Sequence, residues 1–129
     1  MKIIFAGDCF IGGDLEQSSY KRNVLHELFY EADLRIVNLE QAISDNNFVA
    51  DKCTLYSNTE SIANLKKNKI DVVNLANNHI QDKGLEGIKE TIEILEKNNI
   101  KSFGAGSCLK EARKPILINK EIALLGYCE

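Results

Sequence analysis

Asp71-Val72-Val73-Asn74-Leu75, followed by a helical apolar rhythm over 84–98 and then by Lys101-Ser102-Phe103, is the stretch that decides the fold. The first run is short and β-branched, as a buried strand is. Over 84–98, Leu85, Ile88, Ile92 and Leu95 share one helical face, and Asn98-Asn99 supplies a stop. Lys101-Ser102-Phe103 is a further strand, ended by Gly104-Ala105-Gly106. A strand, a helix and a strand in this order make a parallel crossover unit.

Working outward, the same alternation recurs. Lys2-Ile3-Ile4-Phe5-Ala6 is an apolar run ended by Gly7, and Leu34-Arg35-Ile36-Val37 is another strand. Between them Ser18-Ser19 can cap a helix with Val24, Leu25, Leu28 and Phe29 in one stripe. Ser57 with Glu60 forms a capping box for a helix that turns Ile62 and Leu65 inward and ends in Lys66-Lys67-Asn68-Lys69, where the helix dipole favours positive charge. Residues 41–56 show no period and read as a long loop, a kind of segment that tends to be functional. Ile116-Leu117-Ile118 and the run 122–127 flank Asn119-Lys120 as a hairpin. The expected fold is α/β, a mostly parallel sheet with flanking helices in a single domain, 1–129.

Composition sets outer bounds. The chain has 129 residues, 44% of them hydrophobic and 27% charged, with 8 Gly and 1 Pro. That length lets a chain bury roughly 65–70% of its unfolded surface, and the balance excludes collagen, disorder and a disulfide scaffold. The formal charge of −3 gives no electrostatic case for nucleic acid or an anionic membrane. No apolar stretch approaches the roughly 20 residues of a membrane span. The amino terminus reaches Gly7-Asp8 too early for a secretory signal, so a cytoplasmic location is the expectation. Cys9, Cys53, Cys108 and Cys128 are widely spaced and read as reduced, mostly buried thiols.

Ligands of such sheets bind beyond the carboxyl ends of the strands, near a topological switch point. The residues just past the strands are Gly7-Asp8, then Asn38-Leu39-Glu40, then Asn77-Asn78-His79 with Asp82 nearby. Taken singly, an aspartate after a strand is a common turn former, and paired asparagines suit left-handed backbone. Taken together, two carboxylates, amide oxygens and an imidazole are ligands for a divalent cation plus an acid–base group. Gly104-Ala105-Gly106-Ser107 could cradle an anion, but it lacks the third glycine of a dinucleotide fingerprint and the lysine of a P-loop. His26 reads as a surface or core-edge residue, and no nucleophile elbow is present.

These residues resemble the CapA-type poly-γ-glutamate capsule synthesis proteins. The resemblance rests on Ala6-Gly7-Asp8, on Val37-Asn38-Leu39-Glu40, and on the block from Asp71 through Asn77-Asn78-His79 to Asp82 and Gly84. Gly104-Ala105-Gly106, Glu111-Ala112, Pro115 and Leu124-Leu125-Gly126-Tyr127 follow in the same order. The family is similar to the calcineurin-like metallophosphoesterases, which implies half of a two-sheet αββα sandwich with a metal site at the strand ends. The resemblance implies Asp8 as the first metal-binding aspartate, Glu40 with Asn38 as ligands after the second strand, and Asn78 as an amide ligand. It implies His79 as the catalytic imidazole that assists the leaving group.

The departures from the pattern are specific. The family continues well beyond Tyr127, whereas this chain stops at Glu129 and has 2 His. Asp8 is followed by Cys9-Phe10 instead of an Asp-x-His pair, and Gly12-Gly13 stands where a basic residue is usual. The chain therefore resembles the amino-terminal half of such a domain. Ligand counting then implies weak binding of a divalent metal (Mn, Fe, Zn or Mg) and little phosphoesterase activity unless a second half completes the site. The expected substrate carries phosphate or is a polymer, and a second copy or a partner chain would cover the missing half. Two alternatives stay open: a non-catalytic scaffold half-domain, and a flavodoxin-like nucleotide-binding domain using Gly104-Ala105-Gly106.

Overall fold

The computed structural model describes residues 1–13 and 27–128. Along the chain run β1 (Ile3–Cys9), α1 (Glu27–Tyr30), β2 (Leu34–Leu39), β3 (Ala42–Ile43), β4 (Tyr56–Ser57), α2 (Ile62–Lys67), β5 (Val72–Asn74), α3 (Gly84–Lys97), β6 (Lys101–Phe103), α4 (Leu109–Ala112), β7 (Ile116–Leu117) and β8 (Ala123–Leu124). The main sheet has the order β1-β2-β5-β6, and every pairing in it is parallel. This is the expected α/β class, a parallel sheet flanked by helices and consistent with half of a metallophosphoesterase-like sandwich. The proposed cap at Ser18-Ser19, with Val24, Leu25 and His26, lies outside the described residues.

The strand order advances in one direction, so no switch point lies within the four strands, contrary to the sequence expectation. Right-handed crossovers that all step the same way put their helices on one face. That face holds the larger core, where Phe29 of α1, Ile62 and Leu65 of α2 and Leu95 of α3 meet Val37, Leu39 and Val73. The opposite face holds Ile36, Val72 and Phe103, packed against Leu124, Ile116, Ile118 and Ile122 of the β7–β8 hairpin. Asn119 closes that hairpin by accepting hydrogen bonds from the Glu121 and Ile122 amides at 2.8 and 2.9 Å. β1 is longer and more exposed than expected because it is the sheet's edge. Phe5, on the helix-free face, is 66% exposed.

Three local readings need correction. Asn58, not Ser57, caps the turn before α2, accepting from the Glu60 and Ser61 amides at 3.0 and 3.2 Å. Ser57 is buried instead, its hydroxyl 2.7 Å from that of Ser61 and bonded to the Gln41 amide. Helix α3 buries Gly87, Thr91 and Leu95, while Leu85 is half exposed. The small residues let α3 approach β3 closely: the Ile43 amide donates to Thr91 Oγ1 at 2.9 Å. The supposed loop 41–56 holds β3 and runs into β4, with which β3 forms a parallel pair too short to show a period. Buried Lys83 ties that segment down, donating to the Asn46 carbonyl and sitting 4.5 Å above the Tyr56 ring.

Candidate functional site

Asp8, Asn38 and Asn74 occupy matching register positions on β1, β2 and β5. Side chains at such positions emerge beside one another, and here they link. Asn74 Nδ2 donates to Asn38 Oδ1 at 2.9 Å, and Asn38 Nδ2 donates to Asp8 Oδ1 at 2.7 Å. Asn77 joins from the turn after β5, with Nδ2 donating to the Leu39 carbonyl at 2.9 Å and to Asn38 Oδ1 at 3.4 Å. Its own Oδ1 accepts from the His79 and Ile80 amides at 3.0 and 3.1 Å, so Asn77 ties the turn carrying Asn78-His79 to the end of β2. Gly104 and Gly126 pack against the Asn74 side chain so closely that a Cβ on either would clash with it.

Of the residues named from sequence, Asp8 and Asn38 are joined directly. Glu40 follows β2 and is half-buried, with its amide donating to the Cys9 carbonyl at 3.0 Å. Asn78 is exposed, and its carbonyl accepts from Lys52 Nζ at 2.7 Å. His79 turns to Asp82, with Nδ1 2.7 Å from Oδ2. Both lone pairs of Asn38 Oδ1 are engaged by Asn74 and Asn77. Among the described residues no three His, Cys, Asp or Glu side chains gather in a way that could hold a metal ion. By themselves they do not fit a two-metal centre.

Asp82 is the second focus, and it is completely buried. Its Oδ1 lies 2.6 Å from Lys52 Nζ, and its Oδ2 accepts from the Leu55 amide at 2.7 Å. Burial opposes the charge on this carboxyl, but Lys52, the Leu55 amide and His79 outweigh it and hold its pKa below the ordinary value. Stability linked to a lowered carboxyl pKa is present above the unfolded value and is lost as pH falls through the folded one. Thermal melts should therefore show wild type losing stability below about pH 4 more steeply than Asp82→Asn. Equal slopes would mean that folding leaves the Asp82 pKa unchanged.

Sequence reading missed Asn74 and Lys52, while Asn77, read there as one of the strand-end amides, serves as a hydrogen-bonded tie. Asn74 could have been found, since it shares strand phase with Val72 and breaks an apolar run. Lys52 reaches the site from an aperiodic segment, which no local pattern announces. The Gly104-Ala105-Gly106-Ser107 turn gives an anion no ready cradle, because the Ser107 amide donates to Glu111 Oε2 at 2.7 Å and α4 has 4 residues. The expectation of mostly buried thiols holds only for half-buried Cys9, whose pKa is raised by burial. Cys53, Cys108 and Cys128 are exposed. Among the described residues no helix is long and apolar enough to cross a membrane.

Comparison with known proteins is consistent along the chain. A family model described as bacterial capsule synthesis protein PGA_cap matches residues 2–129. A PGA biosynthesis protein CapA of Bacillus subtilis is 32% identical over 138 residues, covering 97% of this chain and 36% of the relative. A probable polyglutamine synthesis accessory protein of Mycobacterium tuberculosis is 35% identical over 88 residues, covering 67% of this chain and 23% of the relative. The chain thus spans about a third or less of the length of these relatives.

Proposed function

This chain belongs to the PGA_cap family of bacterial capsule synthesis proteins, and from that premise we propose that its strand-end edge is part of a divalent-cation site acting on a phosphate-bearing substrate. Its relatives support a role in capsule biosynthesis. What supports the finer reading is the row Asp8–Asn38–Asn74, which sets one exposed carboxylate at the carboxyl ends of three parallel strands. Asp8 supplies the anionic oxygen for Mn²⁺, Fe²⁺, Zn²⁺ or Mg²⁺. Glu40 and Asn78 are its candidate co-ligands, Asn38 holds Asp8 Oδ1 through its amide instead of ligating, and His79 is the candidate proton donor to a leaving group.

One assembled carboxylate makes a weak site. Calorimetric titration with Mn²⁺ should give a dissociation constant on the order of 10⁻⁴–10⁻³ M, the weak end for oxygen-ligand cation sites. Asp8→Ala should bind at least about tenfold more weakly, a loss of roughly 1.4 kcal/mol. Hydrolysis of a simple phosphodiester by the chain alone should stay at the buffer rate. Equal Mn²⁺ affinity in both proteins would remove the Asp8 site. The low ligand count would then favour the second reading, a non-catalytic module in the same biosynthesis.

A further inference from the structure

Within the turn that follows β5, Asp82 does more than fill space. A carboxylate can only accept hydrogen bonds, and three donors reach this one. Lys52 Nζ is on Oδ1 at 2.6 Å, while the Leu55 amide and His79 Nδ1 share Oδ2, each at 2.7 Å. A fourth tie runs from the Ala50 amide to the Asp82 carbonyl at 2.9 Å. Lys52 also donates to the Asn78 carbonyl beside His79 at 2.7 Å. Segment 50–55 and the imidazole are thus fastened to one fully buried side chain.

We propose that Asp82 is a positioning residue that fixes neutral His79 in its Nδ1–H tautomer, and that segment 50–55 holds Asp82 in place to do so. The Leu55 amide and the Lys52 ammonium keep the carboxylate oriented, so Nδ1 must carry the proton that meets Oδ2. Nε2 is then the one ring atom able to accept a hydrogen bond or a cation, or to take up a proton and hand it on to a leaving group. This assigns the reacting atom of His79 and gives an aperiodic segment a task in the site. It builds on the reading of His79 as the acid–base group, but the tautomer is measured without turnover, so either idea can fail without the other.

The test is ¹⁵N-edited NMR of the imidazoles at a pH where they are neutral, with His26→Gln to leave His79 as the single histidine. Free imidazole side chains in water favour Nε2–H. Wild-type His79 should instead show Nδ1–H as the dominant form, with a nuclear Overhauser contact between that proton and the Leu55 amide proton, since both donors meet one oxygen. Asp82→Ala, if folded by circular dichroism, should revert to the Nε2–H majority. Should Asp82→Ala fail to fold, the tautomer and the Leu55 contact in the wild type decide the matter. An Nε2–H majority in the wild type, no contact to Leu55, or an unchanged tautomer in folded Asp82→Ala would overturn the proposal.

Discussion

Arg35→Ala is expected to lower the unfolding free energy by about 2–4 kcal/mol, because it removes a buried guanidinium and leaves three backbone carbonyls short of a donor. Arg35 enters β2 with its side chain almost fully buried, and all three of its guanidinium nitrogens are used. Nε donates to the Phe29 carbonyl at 2.9 Å, and Nη2 to the Ala32 and Tyr30 carbonyls at 2.6 and 3.1 Å. Nη1 meets Asp71 Oδ2 at 2.9 Å, and the Arg35 amide donates to the same oxygen at 2.9 Å. One side chain therefore closes the chain end of α1 and locks the start of β5 onto β2. Domains of this size have about 5–15 kcal/mol of stability in total, so the variant should approach unfolding in mild denaturant. Arg35→Lys should rescue little, because an ammonium cannot span those carbonyls in one plane. Guanidinium melts check both variants, and a loss below about 1 kcal/mol would place Arg35 with ordinary surface pairs.

Gly104→Ala is expected to cost roughly 2–6 kcal/mol, from left-handed backbone strain and overpacking together. Gly104 has φ +92, a region that residues with a side chain rarely adopt. A Cβ there would lie 2.8 Å from both the amide nitrogen and the Cβ of Ala76 and 2.9 Å from Asn74 Oδ1. Two of those atoms belong to backbone or to a short rigid side chain and cannot swing away. The third belongs to the amide that starts the row to Asn38 and Asp8, so the strain should reach the site. NMR spectra of Gly104→Ala should show shifted side-chain amides of Asn74 and Asn38 together with a lowered melting temperature. A silent spectrum at unchanged stability would contradict the close packing of Gly104 on β5.

The strands and the longest helix were legible because burial on a parallel sheet imposes continuous apolar runs and a 3.6-residue rhythm on Val72-Val73 and on 84–98. Finer choices within those elements were set by tertiary contact. Leu85 lost its place in the core to Gly87 and Thr91, since α3 approaches β3 through small side chains and a hydroxyl bond that periodicity cannot express. Ser57 gave up the cap to Asn58 once its hydroxyl was drawn into the buried pair with Gln41. Asp8 and Asn38 were readable as site residues, as both sit at the carboxyl ends of strands that run the same way, although the strands extend through them and do not stop short of them. Their link through Asn74, and the turn of His79 toward Asp82, depend on register and on segment 50–55, which carries no local pattern.

The central claim is that a cation sits against Asp8 at the end of the parallel sheet. Paramagnetic broadening by substoichiometric Mn²⁺ tests it most directly, because broadening falls off steeply with distance from the bound ion. The amide signals of Asp8, Asn38 and Asn74 should be the first to broaden in the wild type and should remain sharp in Asp8→Ala at the same Mn²⁺ concentration. Broadening that is centred elsewhere, or that is the same in the two proteins, would contradict the account.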